Sequence, residues 1–143
     1  MLNFEKYTTE GNVFVKHLAK ELGHENDIVQ TGKIIRAVLH TLRDRISMSE
    51  NLDFLAQLPM YIKALYVDDW KYKEKPDRLK SIAEFAEKVK EHQRKYGESD
   101  FDWPESTEEI IKATLGFIKK NYVTEGEMED VRTNMPEELR SLV

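Results

Sequence analysis

Apolar residues recur along this chain at the spacing of one helix face for most of its length, which predicts an all-α fold. Val13, Phe14, Leu18 and Leu22 mark a first helix from near Thr9 to Gly23, a residue suited to the left-handed turn that stops a helix. A second begins near Asn26 or Asp27, either of which can cap its free N–H groups. Its stripe is Ile34, Ile35, Val38, Leu39, Leu42 and Ile46. Gly32 lies inside it and predicts either close approach of another helix or a helix start just after it. Ser47-Met48-Ser49-Glu50 reads as a capping box, in which Ser47 and Glu50 satisfy each other's backbone donors. A short helix follows through Phe54 to Leu58, and Pro59 ends it and opens another that runs to about Trp70. Residues 71–76 are polar and close on Pro76, as a connector would. Beyond it, Leu79, Ile82, Phe85, Ala86 and Val89 mark a helix fading by Gly97, and the pair Ser106 and Glu109 opens a second long helix.

The halves match one another. Ile34, Ile35, Ala37, Leu39, Leu42 and Ile46 correspond to Ile110, Ile111, Ala113, Leu115, Ile118 and Tyr122, each 76 residues on. Val123 is one extra residue. After it, Ser47, Glu50, Asp53, Phe54, Leu58, Pro59, Ile62 and Leu65 correspond to Thr124, Glu127, Asp130, Val131, Met135, Pro136, Leu139 and Leu142, each 77 residues on. Phe14-Val15 with Leu18 also resembles Phe85-Ala86 with Val89. The expected architecture is therefore about eight helices in one domain, 1–143. Two four-helix repeats, near 9–70 and 77–143, would pack their long helices together about a pseudo-twofold axis.

These residues also carry a family resemblance. Ala37-Val38-Leu39 through Arg43-Asp44-Arg45-Ile46, Gln57-Leu58-Pro59, Leu65-Tyr66 and Trp70 resemble the signature of the bacterial family called domain of unknown function 2267. Glu125 to Val131, Asn134-Met135-Pro136 and Leu139-Arg140 resemble it a second time. The resemblance implies a small cytosolic helical protein with this repeat, no established biochemical role and no catalytic residues to carry over. The chain departs from the pattern at Thr114 and Gly116, and Asn134 stands where the first half has Gln57.

Composition narrows the function classes. Cysteine is absent, which removes disulfides, thiolate metal sites and cysteine nucleophiles, and suits a reducing cytoplasm. No apolar run approaches the ~20 residues of a membrane span, and no signal peptide opens the chain. A net charge of −5 argues against nucleic acid as a partner. The charge is uneven. Residues 72–96 carry eight Lys/Arg against five Asp/Glu, and residues 97–143 carry five against twelve, a pattern that either steers a charged partner or is a solvated helix face beside solvated loops.

No residue pattern specifies a reaction. The serines sit mostly at helix starts, where capping explains them, and the glycines are scattered singly. Glu21-Leu22-Gly23-His24 has Glu-x-x-His spacing, but Gly23 ends the helix between its members; His17 lies nearby on a helix flank, His92 on another, and His40 points away from its stripe. No cofactor or metal is expected. The candidate contact residues for a ligand or partner are aromatic: Tyr66, Trp70 and Tyr72 closing the first half, Phe101 and Trp103 before the second. They either line a groove at the junction or plug it as core. The expected function is non-enzymatic and works through protein–protein contact, as a regulatory or stress-related accessory module. The alternatives are a ligand-binding domain using that aromatic groove, and a metalloprotein using His17, His24 and nearby carboxylates.

Overall fold

A computed structural model describes residues 2–95 and 103–143. The described residues form eight helices: α1 (Phe4–Glu21), α2 (Ile28–Arg45), α3 (Met48–Ala56), α4 (Met60–Val67), α5 (Ile82–Lys95), α6 (Thr107–Asn121), α7 (Glu125–Thr133) and a terminal 3₁₀ helix (Glu137–Leu142). No strand occurs among them, and no helix is long and apolar enough to cross a membrane.

Most helix boundaries follow from local chemistry. Asp27 caps α2 by accepting from the Gln30 N–H at 3.1 Å, and Gly23 takes φ +79°. Pro59 and Pro136 share one conformation, φ −57° and ψ 152°, each immediately before the next helix. Three expectations move. Helix α1 starts five residues earlier than Thr9, because the Asn3 side chain caps it through the Lys6 N–H. Helix α4 stops at Val67 and not near Trp70, since Asp69 turns out of the helix at φ 54°. The unwound connector is accordingly longer than 71–76 and runs over 68–81.

A single apolar core takes residues from both halves of the chain, with Phe14, Leu39, Phe54, Phe85, Ile111 and Leu115 all fully buried. Its centre is α2, which touches α1, α4, α5 and α6 and packs most extensively on α5. The long helices α2 and α6 do meet, but α5 covers more of α2 than α6 does. Helix α2 is therefore buried all round in its second half, where Ala37 through Asp44 are all buried. That corrects the reading of His40 as pointing outward: it is 1% exposed and donates from Nε2 to the Leu65 carbonyl at 2.7 Å.

Gly32 needs no close neighbour either. A Cβ added there meets nothing within 4 Å, whereas one on Gly11 meets Tyr61 Cβ at 3.3 Å, so the tight approach is between α1 and α4. Gly32→Ala should therefore raise the unfolding free energy by about 0.5–1 kcal/mol, the helix-propensity difference alone. Urea unfolding measures it, and a loss of stability would mean that the position is crowded after all.

The capping boxes differ in an informative way. At α6 the box is complete: Ser106 Oγ accepts from the Glu109 N–H at 3.2 Å, and Glu109 Oε2 accepts from the Ser106 N–H at 2.9 Å. At α3 only half of it forms. Ser47 Oγ accepts from the Glu50 N–H, but the Ser47 N–H donates to Asn134 Oδ1 at 2.9 Å and not to Glu50. The same substitution occurs at α7, where the Thr124 N–H donates to Gln57 Oε1 at 2.8 Å. Gln57 and Asn134 thus do one job reciprocally, each closing the helix start that the other half presents. Glu50 and Glu127 are released from the boxes that the sequence predicts for them.

Candidate functional site

Two groups of polar residues stand apart from the apolar core. The first lies at the C-terminal end of α2. Arg43, only 4% exposed, donates from Nη1 to the carbonyls of Tyr66 at 2.8 Å and Asp68 at 2.9 Å. Those oxygens lie where α4 ends and its last carbonyls lose their helical partners, so the guanidinium closes the helix. Asn51 completes the arrangement. Its Nδ2 donates to the carbonyls of Arg43, Ile46 and Ser47, and its Oδ1 accepts from the Tyr66 hydroxyl. Burial pushes the Tyr66 phenol well above its ordinary value.

The same run of sequence holds the connector. The Asp44 carbonyl accepts from the Asp77 N–H at 2.8 Å, and Arg45 Nε donates to the Leu79 carbonyl at 2.9 Å. The Asp44 carboxylate faces His92 Nε2 at 3.2 Å and Lys73 Nζ at 3.8 Å. Burial alone would raise its pKa, but His92 beside it, then Lys73 and Arg43, hold it below the ordinary carboxylate value. Burial also holds His40 down at about 4, the bond to Leu65 offsetting only part of it while Arg43 and His92 add to it. Arg43, Asp44 and Arg45, prominent in the sequence, are thus a clamp on an unwound segment.

Two adjoining clefts open beside the clamp and share Arg43, Asp44 and Lys73. The smaller, about 90 Å³, is bounded by Trp70, Tyr72 and the connector through Pro76. The larger, about 240 Å³, is lined by Arg43, Lys71, Lys73, Lys88 and Lys95 against Asp44, Asp69 and Glu91, with His92 at its wall. The cations outnumber the acids there, and several are held in place: Lys73 by Asp77 at 2.9 Å, Lys88 by Glu91 at 3.1 Å and Lys95 by Asp69 at 2.5 Å.

The aromatic candidates do not share one groove. Trp70 and Tyr72 line the smaller cleft, Trp70 lying beneath the Arg43 guanidinium at 5.6 Å. Tyr66 is fully buried behind them, edge-on to Trp70. Trp103 sits at the opposite end of α2, stacked on His24 at 3.9 Å with its Nε1 donating to Asp27 Oδ2 at 3.0 Å. The two ends are separated by about 24 Å of helix, since Asp27 and Arg43 are sixteen residues apart. Phe101 lies outside the described residues. His24 is occupied by Trp103 and by Glu105 at 3.0 Å, and His17 is exposed. Neither belongs to a three-residue ligand cluster among the described residues.

The second polar group was not singled out as a site by the sequence. Glu50 and Glu127, 9% and 7% exposed, face one another where α3 packs on α7, with Asp130 beside them. Burial, then the Glu50 carboxyl group beside it, then Asp53 and Asp130, push Glu127 up to about 8. Glu127 therefore keeps its proton at neutral pH.

The sequence profile of a family described as "Uncharacterized conserved protein (DUF2267)" matches residues 11–142. No curated protein matches the chain.

Proposed function

The chain belongs to the DUF2267 family of uncharacterized conserved proteins, and from that premise we propose that it is a non-enzymatic module that docks an acidic protein segment on the lysine-rimmed cleft. The observation that carries this reading is the cleft itself, where Arg43, Lys71, Lys73, Lys88 and Lys95 surround one opening in a chain of net charge −5. A cationic cleft on an acidic protein selects for acidic partners. Trp70 and Tyr72 on the adjoining wall add apolar contact area for the same segment. His92 and Asp44, the groups there most suited to proton transfer, are engaged with each other and with the clamp, which supports binding over catalysis.

The same proposal places the protein in a bacterial cytoplasm, in keeping with a cysteine-free chain, and takes its halves as copies of one unit. Support for the duplication is local: Ser47 and Thr124 cap their helices alike, and Gln57 and Asn134 exchange equivalent bonds. The docking surface then lies on the connector between the halves and not on the faces that match.

A poly-glutamate peptide is the simplest probe. Titrated into ¹⁵N-labelled protein at low salt, it should shift amides of residues 69–77 and 88–95 and lose its grip as salt rises. The double variant Lys71→Glu, Lys95→Glu should weaken binding at least about tenfold, since like charges then face the peptide. Shifts spread evenly over the chain, or equal affinity in the double variant, would refute the docking site.

A further inference from the structure

Glu50 and Glu127 occupy the third position of their helices, where the usual partner is the N–H of the capping residue. Asn134 and Gln57 take those N–H groups instead. As a result Glu50 Oε1 and Glu127 Oε1 are buried with no donor from the chain, in residues 9% and 7% exposed. Asp130 follows Glu127 by three residues and so shares its helix face. One oxygen from each of the three carboxylates lies within 4.8 Å of the others.

From this geometry we infer that the α3–α7 seam is a binding site for one hard divalent cation, Mn²⁺ or Ca²⁺, held by Glu50, Glu127 and Asp130. Ligand oxygens on one ion at 2.3–2.6 Å stand no more than about 5 Å apart, as these do. The donor set is oxygen only, with no thiolate or imidazole, which favours those ions over zinc or copper. Glu50 and Glu127 supply the buried side of the coordination sphere. Asp130 is exposed and leaves an open path for entry and for water ligands. Bound there, the ion ties α3 to α7 and so the first half of the chain to the second. Asp53, which matches Asp130 in the other half, adds negative charge nearby.

The test uses the full chain stripped with EDTA. Free Mn²⁺, followed by its EPR signal, should disappear into one site per chain, and CaCl₂ should displace it where NaCl at equal ionic strength does not. The Tm should rise by several degrees at saturation. Asp130→Asn leaves the buried pair intact and should weaken Mn²⁺ at least about tenfold. Glu127→Gln should abolish binding while circular dichroism shows the helices retained. Glu137→Gln makes the same change of charge on the terminal helix and should bind as the unaltered chain does. No saturable binding up to about 5 mM Mn²⁺, a range that takes in weak calcium modules, would overturn the site. So would equal affinity in the unaltered chain, Asp130→Asn and Glu127→Gln.

Discussion

Arg43→Ala should lower the unfolding free energy by about 3–5 kcal/mol, the largest loss expected from any single change at the α2 clamp. Three consequences combine. The carbonyls of Tyr66 and Asp68 lose a charged donor at the end of α4, where no helical N–H replaces it. Asp44, 9% exposed, loses one of the cations that keep it ionised, leaving Lys73 and His92. The ring of Trp70 loses the guanidinium above it. Arg43→Lys should recover less than half, because one ammonium cannot reach both carbonyls and also Asp44 as the planar fork does. Urea unfolding of the three chains checks this. A cost below about 1 kcal/mol for the alanine variant would mean that the connector is held by something other than Arg43.

Stability should fall between pH 6.5 and 8 in EDTA, and Glu127→Gln should remove that fall. Glu127 is pushed up from 4.5 to about 8, so between those values the folded chain keeps a proton that the unfolded chain has released. Its contribution is present in full below pH 4.5 and is lost as pH rises through about 8. Each pKa unit is worth about 1.4 kcal/mol, which sets a ceiling near 5; we expect about 2–3 kcal/mol of loss, since exposed Asp130 lets water reach the pair. His40 acts in the opposite sense. Lowered from 6.5 to about 4, it contributes stability that is present above 6.5 and lost as pH falls through about 4. Together they predict a plateau in mildly acidic solution with a decline on either side. The glutamine variant keeps the shape of Glu127, donates an N–H to Glu50 and takes up no proton. It should gain about 1–2 kcal/mol at pH 8. A profile equally steep in both chains would remove the carboxyl pair as its cause.

The helices are legible in the sequence wherever the residues that decide them act within one turn. Asp27 caps α2, Ser106 and Glu109 close their box, Gly23 turns the chain and Pro59 starts α4, all through neighbours at most four residues away. Failures come where a distant partner competes for the same group. The Ser47 N–H is taken by a side chain 87 residues away and the Thr124 N–H by one 67 residues away, so a correct capping pattern predicts the wrong acceptor. His40 is misplaced for a related reason: a single stripe assumes one buried face, and α2 is covered on several.

The candidate site is legible in part. Trp70 and Tyr72 do line a cleft, and the positive charge of residues 72–96 does gather beside it. Tyr66 reads as either groove lining or core in the sequence, and the fold makes it core, its hydroxyl donating to Asn51 fifteen residues earlier. Trp103 belongs to the far end of α2 because Asp27 and His24 hold it there, a pairing across 76 residues that periodicity does not report. The Glu50–Glu127 seam does leave a trace in the sequence. The matched pairs Glu50 with Asp53 and Glu127 with Asp130 place carboxylates at equal spacing in both halves, and only the folded contact brings three of them together.

The most direct measurement is the ¹³C chemical shift of the Glu127 side-chain carboxyl followed against pH in EDTA. If Gln57 and Asn134 have displaced the two glutamates from their capping boxes into contact, the midpoint lies near 8 and falls toward the ordinary glutamate value in Glu50→Gln. A midpoint near 4.5 in the unaltered chain, unchanged in that variant, would contradict the release of the pair from the capping boxes into contact.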